Sequence, residues 1–340
     1  MTTASPNFLL LGNLQREFLI TPDHKVYNNR PGGNLLYAAG GAGLWLKEGE
    51  TLGFVSRVGE DYPREWLEEF EEMGINIEGV RILPEAQDVR TFLAYTDLRT
   101  PSTDDPVAHF ARLGETFPRS LLGYKDTSGS LDSHSDLKPL SLRQSDLPEV
   151  YKFASVAHIC YVDFLTHSLM PAALRQAGLT TVTLDPGPGY MNPSFYDDVR
   201  SILPGLTAFL PSESDLRELF KGYTEDLWEM AESICSWGCE LVVIKQGEKG
   251  QLLYDGGSNT RYEVPAYPSR MVDLTGAGDV FCGGFLVGYK RTYDPVQAVM
   301  YGNVAASIAV EGSGAFYTRD VLPGLVQARL ESLQESVRKV

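Results

Sequence analysis

Short apolar runs alternate with amphipathic stretches along most of this 340-residue chain. The runs FLLLG (from Phe8), TLGFVS, SVAHICYV, TTVTLDP, GLTAFLP and LVVIKQG are bounded by Gly, Pro or charged residues and read as buried strands. Between them, PREWLEEFEEMG, HSLMPAALRQAG and SESDLRELFKG repeat their apolar positions at helical spacing. This alternation predicts an α/β fold whose mainly parallel sheet is covered by helices on both faces. In such sheets ligands bind beyond the carboxyl ends of the strands.

Two stretches depart from the pattern. FLITPDHKVYNNRPGGN and VRTFLAYTDLRTPSTDDPVAHFARL carry β-type alternation broken by turn residues, with no helical period in either. They predict a small accessory sheet from about residues 15–30 and 89–112. Residues 114–150 are dense in Ser, Asp, Leu and Pro without a period, and read as a long irregular insertion on the same domain. The whole chain, 1–340, is thus expected to be one domain with appendages.

Composition narrows the partners. Lys and Arg number 29 against 45 Asp and Glu, a formal charge of −16, so phosphate backbones and anionic lipid surfaces are repelled. Neither nucleic acid nor membrane is an expected partner, and no apolar run reaches the ~18–20 residues of a span. The start, MTTASPNFLLLGNL, lacks a basic region and reads as a strand, not an export signal, which makes a cytoplasmic location the expectation. Four scattered cysteines suit a reducing compartment; Cys235 and Cys239, one helical turn apart, have no nearby His to complete a zinc site. His24, His109, His134, His158 and His167 show no ligand spacing, Glu68 to Glu72 read as a solvated helix face, and Tyr161, Trp228 and Trp237 read as packing residues.

The stretch DLTGAGDVFCGGF, residues 273–285, carries the chemistry. Gly276, Ala277 and Gly278 precede an apolar stretch, Asp279 to Tyr289, with the character of a buried helix, so they fall at a helix N-terminus. Free N–H groups and the helix dipole there favour an anion. An acid such as Asp279 would repel a bound phosphate unless it takes a proton from the attacking hydroxyl, the combination that phosphoryl transfer requires. A glycine turn with a capping acid is the competing reading of the same residues. P-loop, dinucleotide, HExxH and GxSxG motifs are absent from the sequence.

DLTGAGDVFCGGF resembles the second signature of the ribokinase-like, PfkB-type carbohydrate kinases, and NNRPGGNLLYAAGGAGLWL resembles their first. GFVSRVGEDYPREWLEEFEEMGINIEGV is similar to the segment after the family's second strand, and the match in order and spacing spans nearly everything outside residues 98–150. The resemblance implies a ribokinase-like fold in which the accessory sheet is a lid, and transfer of the ATP γ-phosphoryl group, with Mg2+, to a primary hydroxyl of a sugar, nucleoside or similar polyol. Asp279 would be the base, and the amides of Gly276, Ala277 and Gly278 the anion hole. Gly32, Gly33 and Asn34 would hold substrate hydroxyls, as would Glu17, which stands where relatives usually place an Asp. Lys245 and Gly247, in LVVIKQGEKGQLLY, and Asn303 would flank ATP. Asp273 and Thr275, with Gly314, match positions of a monovalent-cation site such as one for K+. A homodimer through the lid is also implied.

Three departures bear on activity. Glu17 is one methylene longer than the usual acid. The family's Asn-x-x-Glu magnesium motif is replaced by Ser212-Glu213-Ser214-Asp215, which leaves Glu213 and Asp215 as candidate Mg2+ ligands. The LDPGPGYMNP segment lacks the Asn and Arg that follow Asp-Pro in many relatives, with Arg200 downstream. The alternative these departures allow is a weak or inactive homologue that binds nucleotide or sugar as a regulatory protein.

Overall fold

The computed structural model describes residues 5–97, 100–126 and 130–340. Residues 98–99 of the expected lid and 127–129 of the expected insertion lie outside the described residues, as do 1–4. In chain order the first part holds β1 (Phe8–Leu11), β2 (Gln15–Ile20), β3 (Val26–Gly32), α1 (Asn34–Gly43), β4 (Leu52–Val58), α2 (Arg64–Glu72), β5 (Asn76–Ile82), β6 (Arg90–Tyr95), β7 (Pro101–Ser102) and α3 (Pro106–Leu113). Next come β8 (Val156–Ile159), α4 (Phe164–Gln176), β9 (Thr181–Leu184), α5 (Tyr196–Ile202), β10 (Ala208–Phe209), α6 (Glu213–Leu219), α7 (Leu227–Ser236) and β11 (Leu241–Lys245). The chain closes with β12 (Gln251–Asp255), β13 (Thr260–Val264), α8 (Ala277–Thr292), α9 (Pro295–Ala309), α10 (Pro323–Gln334) and β14 (Arg338–Lys339).

A ten-stranded sheet has the order β14-β13-β12-β11-β10-β9-β8-β1-β4-β5. From β11 to β5 every pairing is parallel, and β12, β13 and β14 add an antiparallel edge. The apolar runs are explained by parity. In β1, Leu9 and Leu11 face a core under α4 to α7, while Phe8 and Leu10 face another under α1 and α2. In β11, Val242 and Ile244 join the first core, and Leu241 and Val243 pack beneath α8, α9 and α10. A strand buried on both faces has no polar side to show, so it reads as a continuous apolar run.

The accessory sheet has the order β3-β2-β6-β7, with β2 and β6 parallel and the outer pairs antiparallel. The expectation that residues 89–112 lack a helix is corrected here: α3 occupies Pro106–Leu113, and Phe110 packs with Phe18, Ile20 and Phe92 on the accessory sheet. Its ends are marked in the sequence. The Asp105 side chain accepts from Ala108 N, Pro106 opens the helix, and Gly114 closes it with φ 70°.

Residues 114–150 contain only short 3-10 turns among those described, yet the stretch is firmly anchored. Arg57 of β4 grips Asp146 with two prongs, Nε to Oδ2 at 2.7 Å and Nη2 to Oδ1 at 3.0 Å, with side chains 9% and 2% exposed. Asp146→Ala leaves a buried guanidinium unpaired, and the expected loss is about 3–5 kcal/mol in urea unfolding. Arg57→Met/Asp146→Leu should recover much of it, because the apolar pair leaves no orphan charge.

Two core histidines add an acid sensitivity. Burial, with Lys245 and His167 adding to it, pushes His158 down to about 3; burial pushes His167 down to about 4. The unfolded chain therefore binds these protons near pH 6.5, and the folded chain only well below it. Stability must fall as pH drops from about 6.5 toward 4, by about 2 kcal/mol per histidine at pH 5. Urea midpoints at pH 7 and pH 5 check this, with a shallower dependence expected in His158→Leu.

Candidate active site

The carboxyl ends of the central strands meet the N-terminus of α8. Gly276 caps that helix in the left-handed region at φ 72°, and a Cβ there would lie 2.1 Å from the Tyr37 ring, so both backbone and packing demand glycine. Gly278 differs: a Cβ would meet nothing closer than Lys245 Nζ at 3.6 Å, which leaves its outer face open for a ligand. The Ala277 N–H points back to Leu274 O at 3.2 Å, so this member of the expected amide trio is already engaged. Gly278 keeps a free amide at this helix start, one of the ordinary orphans of a first turn, whereas the Asp279 amide is turned toward its own carboxyl.

Asp279 lies in that first turn, half-buried. Behind it, Asp185 at the exit of β9 accepts from Lys245 Nζ, at the end of β11, at 2.5 Å. Cys282, one turn along α8, places Sγ 3.5 Å from Asp185 Oδ2 and 3.6 Å from Lys245 Nζ. Burial and then the Asp185 charge push the Asp279 carboxyl well above the usual range, and Lys245 opposes them. Burial works against the Lys245 ammonium, but Asp185, Cys282 and Asp279 outweigh it and hold the group charged.

Gly32, Gly33 and Asn34 close the other side. A Cβ on Gly33, φ 100°, would fall 2.3 Å from Asn13 O. The Asn34 amide accepts from Asn13 N at 2.9 Å and donates to Tyr161 O at 2.6 Å, tying the loops after β1 and β8 to the start of α1. Glu17, 2% exposed, is gripped by Arg30 Nε at 2.7 Å and by the Tyr37 hydroxyl at 3.1 and 3.0 Å. Both of its oxygens are in use. Tyr161, read from the sequence as packing, stands at the cleft: 37% of it is exposed, and burial, then Asp279 and Asp185, push its hydroxyl up, with Glu17 contributing.

The expected nucleotide side is more open. Gly247, φ 59°, has nothing within 4 Å of a Cβ. Beside it lies a cleft of about 180 Å³ with Gln246, Lys249, Glu263 and Pro265 among its walls. Asn303 does not project into free space. Its amide donates to Gln251 Oε1 at 2.7 Å and Pro265 O at 2.9 Å and accepts from Tyr267 N at 3.0 Å, which fixes the segment walling the cleft.

Glu213 and Asp215 are structurally occupied. Asp215 and Ser212 form a capping box at the start of α6, and Glu213 accepts from Arg217 and from Gln246 Nε2 at 2.8 Å. Among the described residues no three His, Cys, Asp or Glu side chains are grouped to hold a metal. The Asp215 charge still reaches Asp185, so this edge offers hard oxygen donors of the kind that binds Mg2+ through water. Arg200 takes no part, since its guanidinium packs over Tyr196 and Trp237.

Asp185, Arg30 and Tyr37 are site neighbours that the sequence did not single out, and Tyr161 is one that it assigned to packing. Asp185 had a usable signal, an acid at the end of a buried strand; the other three are placed by contacts remote in sequence.

Comparison with known proteins bears on the family and the fold. A family model for pfkB family carbohydrate kinases matches residues 144–320. The cytidine kinase of Thermococcus kodakarensis is 30% identical over 299 residues, which is 87% of this chain and 93% of that protein. Among solved structures, Arabidopsis thaliana ribokinase complexed with ribose and ATP superimposes with a TM-score of 0.67 at 18% identity, over 96% of this chain and 99% of that one. The nucleoside kinase of Methanocaldococcus jannaschii does so with a TM-score of 0.65 at 17% identity, over 97% and 99%. With both glycine motifs at one cleft on a ribokinase-like fold, the chain belongs to the pfkB family of carbohydrate kinases, phosphotransferases that use an alcohol group as acceptor.

Proposed function

We propose that this protein transfers the γ-phosphoryl group of ATP to a primary hydroxyl of a nucleoside, sugar or similar polyol. The carrying observation is the arrangement at α8: a carboxylate, Asp279, beside an open Gly278 and above the Lys245–Asp185 pair. Asp279 takes the proton of the acceptor hydroxyl as that oxygen attacks phosphorus, and its raised pKa suits a base. The Gly278 amide, with the Lys245 ammonium 3.6 Å from the Gly278 Cβ position, faces the oxygens of the moving phosphoryl group. Lys245 thereby supplies the positive charge that the segment after Asp185 lacks.

ATP fits the open strip from Gly278 to Gly247, with its base toward the cleft that Asn303 shapes. Magnesium, held chiefly by nucleotide phosphates and water near Asp215 and Asp185, would neutralise phosphate charge. The acceptor lies between Tyr161, Asp279 and the Gly32-Gly33-Asn34 turn, under the lid. Glu17, saturated by Arg30 and Tyr37, shapes that pocket instead of gripping hydroxyls with a free carboxylate. Nucleosides are the first acceptors to try, because a relative that aligns over most of the chain at 30% identity is a cytidine kinase.

ADP release from Mg-ATP across nucleosides, sugars and related alcohols tests the reading. Asp279→Asn should lower kcat by about 10²–10⁴-fold. The same variant should melt no lower than wild type. A carboxyl whose pKa is raised on folding lowers the stability of the folded state at any pH above its unfolded value, neutral pH included, and Asn removes that cost. Ligand binding without turnover in the wild type would instead favour a binding or regulatory role, the reading that the occupied carboxylates of Glu213 and Asp215 support.

The pH profile gives a second check. The acid limb of kcat/KM should lie above the ordinary carboxylate value of about 4, because Asp279 must be ionised to accept the proton. Lys245→Met removes the charge that holds Asp279 down. It should move this limb to higher pH and reduce kcat at its plateau.

A further inference from the structure

Beneath the lid, the charged chain Glu17–Arg30–Ser313–Asp273 joins the accessory sheet to the turn that builds the anion site. Arg30, in β3, donates from Nε to Glu17 Oε1 at 2.7 Å and from Nη1 to Ser313 Oγ at 3.1 Å, with Nη2 2.5 Å from Glu17 Oε1. Its guanidinium packs over the Tyr27 ring at 4.4 Å. Ser313 Oγ donates to Asp273 Oδ2 at 2.5 Å, and Asp273 Oδ1 accepts from Thr275 N at 2.9 Å, one residue before Gly276. Tyr95 of β6 reaches the same place, its hydroxyl 3.1 Å from Thr275 Oγ1. Tyr37, which donates to Glu17, lays its ring against Gly276. The chain thus touches the turn at Asp273, Thr275 and Gly276, and Glu17 and Asp273 are 2% and 3% exposed.

We propose that Arg30 is a positioning residue that locks the lid sheet and the Asp273–Gly278 turn into one register, and that its guanidinium does so without a bound monovalent cation. The expected cation residues, Asp273, Thr275 and Gly314, do not fit such an ion. Both Asp273 oxygens already accept hydrogen bonds, and Arg30 Nη1 lies 3.7 Å from the Gly314 Cβ position, so a second cation would face a like charge. A guanidinium suits the task because its fork serves Glu17 and Ser313 at once, whereas an ammonium is a single point charge. The functional consequence rests on the kinase reading: the left-handed Gly276 aims the Gly278 amide and Asp279, and a displacement of ~1 Å there costs about 10²-fold in rate.

The test compares wild type, Arg30→Met, Arg30→Lys and Ser313→Ala in potassium chloride and in tetramethylammonium chloride. Two quantities are read: steady-state kinetics, and calorimetric affinity for a non-hydrolysable Mg-ATP analogue. Wild type should give the same rate and affinity in both salts, within about twofold. Ser313→Ala, which keeps the Arg30–Glu17 pair and so the fold, should lose about 10- to 100-fold in kcat with little change in acceptor KM and with Tm lowered by only a few degrees. Arg30→Met should fall at least as far, and Arg30→Lys should not restore the rate. A potassium stimulation of about tenfold or more in wild type, in either readout, overturns the proposal, as does wild-type kcat in Ser313→Ala. If no acceptor is turned over, the kinase reading fails, while analogue affinity still decides this one: it should weaken in Ser313→Ala and be indifferent to potassium in wild type.

Discussion

Two carboxylates and one ammonium share the space beneath the first turn of α8, and the rest of the site is arranged around that imbalance. Asp185 holds Lys245 at 2.5 Å, so Asp279 keeps only part of the compensating charge. An acid left short of a counter-ion and half-buried has a raised proton affinity, which is what a base needs. The same ammonium lies on the open side of Gly278, where a phosphoryl group would bring its own negative charge. In the proposed reaction a single cation would therefore serve two stages, moderating Asp279 before the nucleotide arrives and meeting the phosphoryl oxygens afterwards.

This arrangement depends on a turn that only glycine can form, and the turn depends on elements far from it in sequence. Tyr37 of α1 fills the space where a Gly276 side chain would lie, Asp273 receives the Thr275 amide, and Tyr95 of the lid bonds the Thr275 hydroxyl. The buried Glu17–Arg30 pair ties those contacts to the accessory sheet. Buried ion pairs gain little net stability once desolvation is counted, but breaking one strands a charge, so they specify geometry more than they add stability. Here the geometry specified is that of the accessory sheet against the turn at Asp273–Gly276.

Much of the fold was legible because strand parity and helical periodicity are local. Runs such as FLLLG and LVVIKQG became central strands with alternate residues in opposite cores. The error at residues 106–113 came from reading β-alternation through a segment whose caps, Asp105 and Gly114, were visible. The irregular stretch from 114 to 150 offered no period, and its anchor, Asp146 on Arg57, crosses 89 residues of sequence. No local pattern could have disclosed that pairing.

The two glycine motifs established the family, the helix N-terminus and the acid in its first turn, because backbone freedom and helix dipoles follow from residue type and order. Tertiary structure alone decided which polar groups remain available. It spent Glu17 on Arg30 and Tyr37, Asn34 on backbone, Asn303 on backbone and Gln251, and Asp215 on a helix cap, and it brought Tyr161 and Asp185 to Asp279. The physical reason is that a side chain's chemistry is set by the partners that burial forces upon it, and those partners come from elements that the chain order keeps apart.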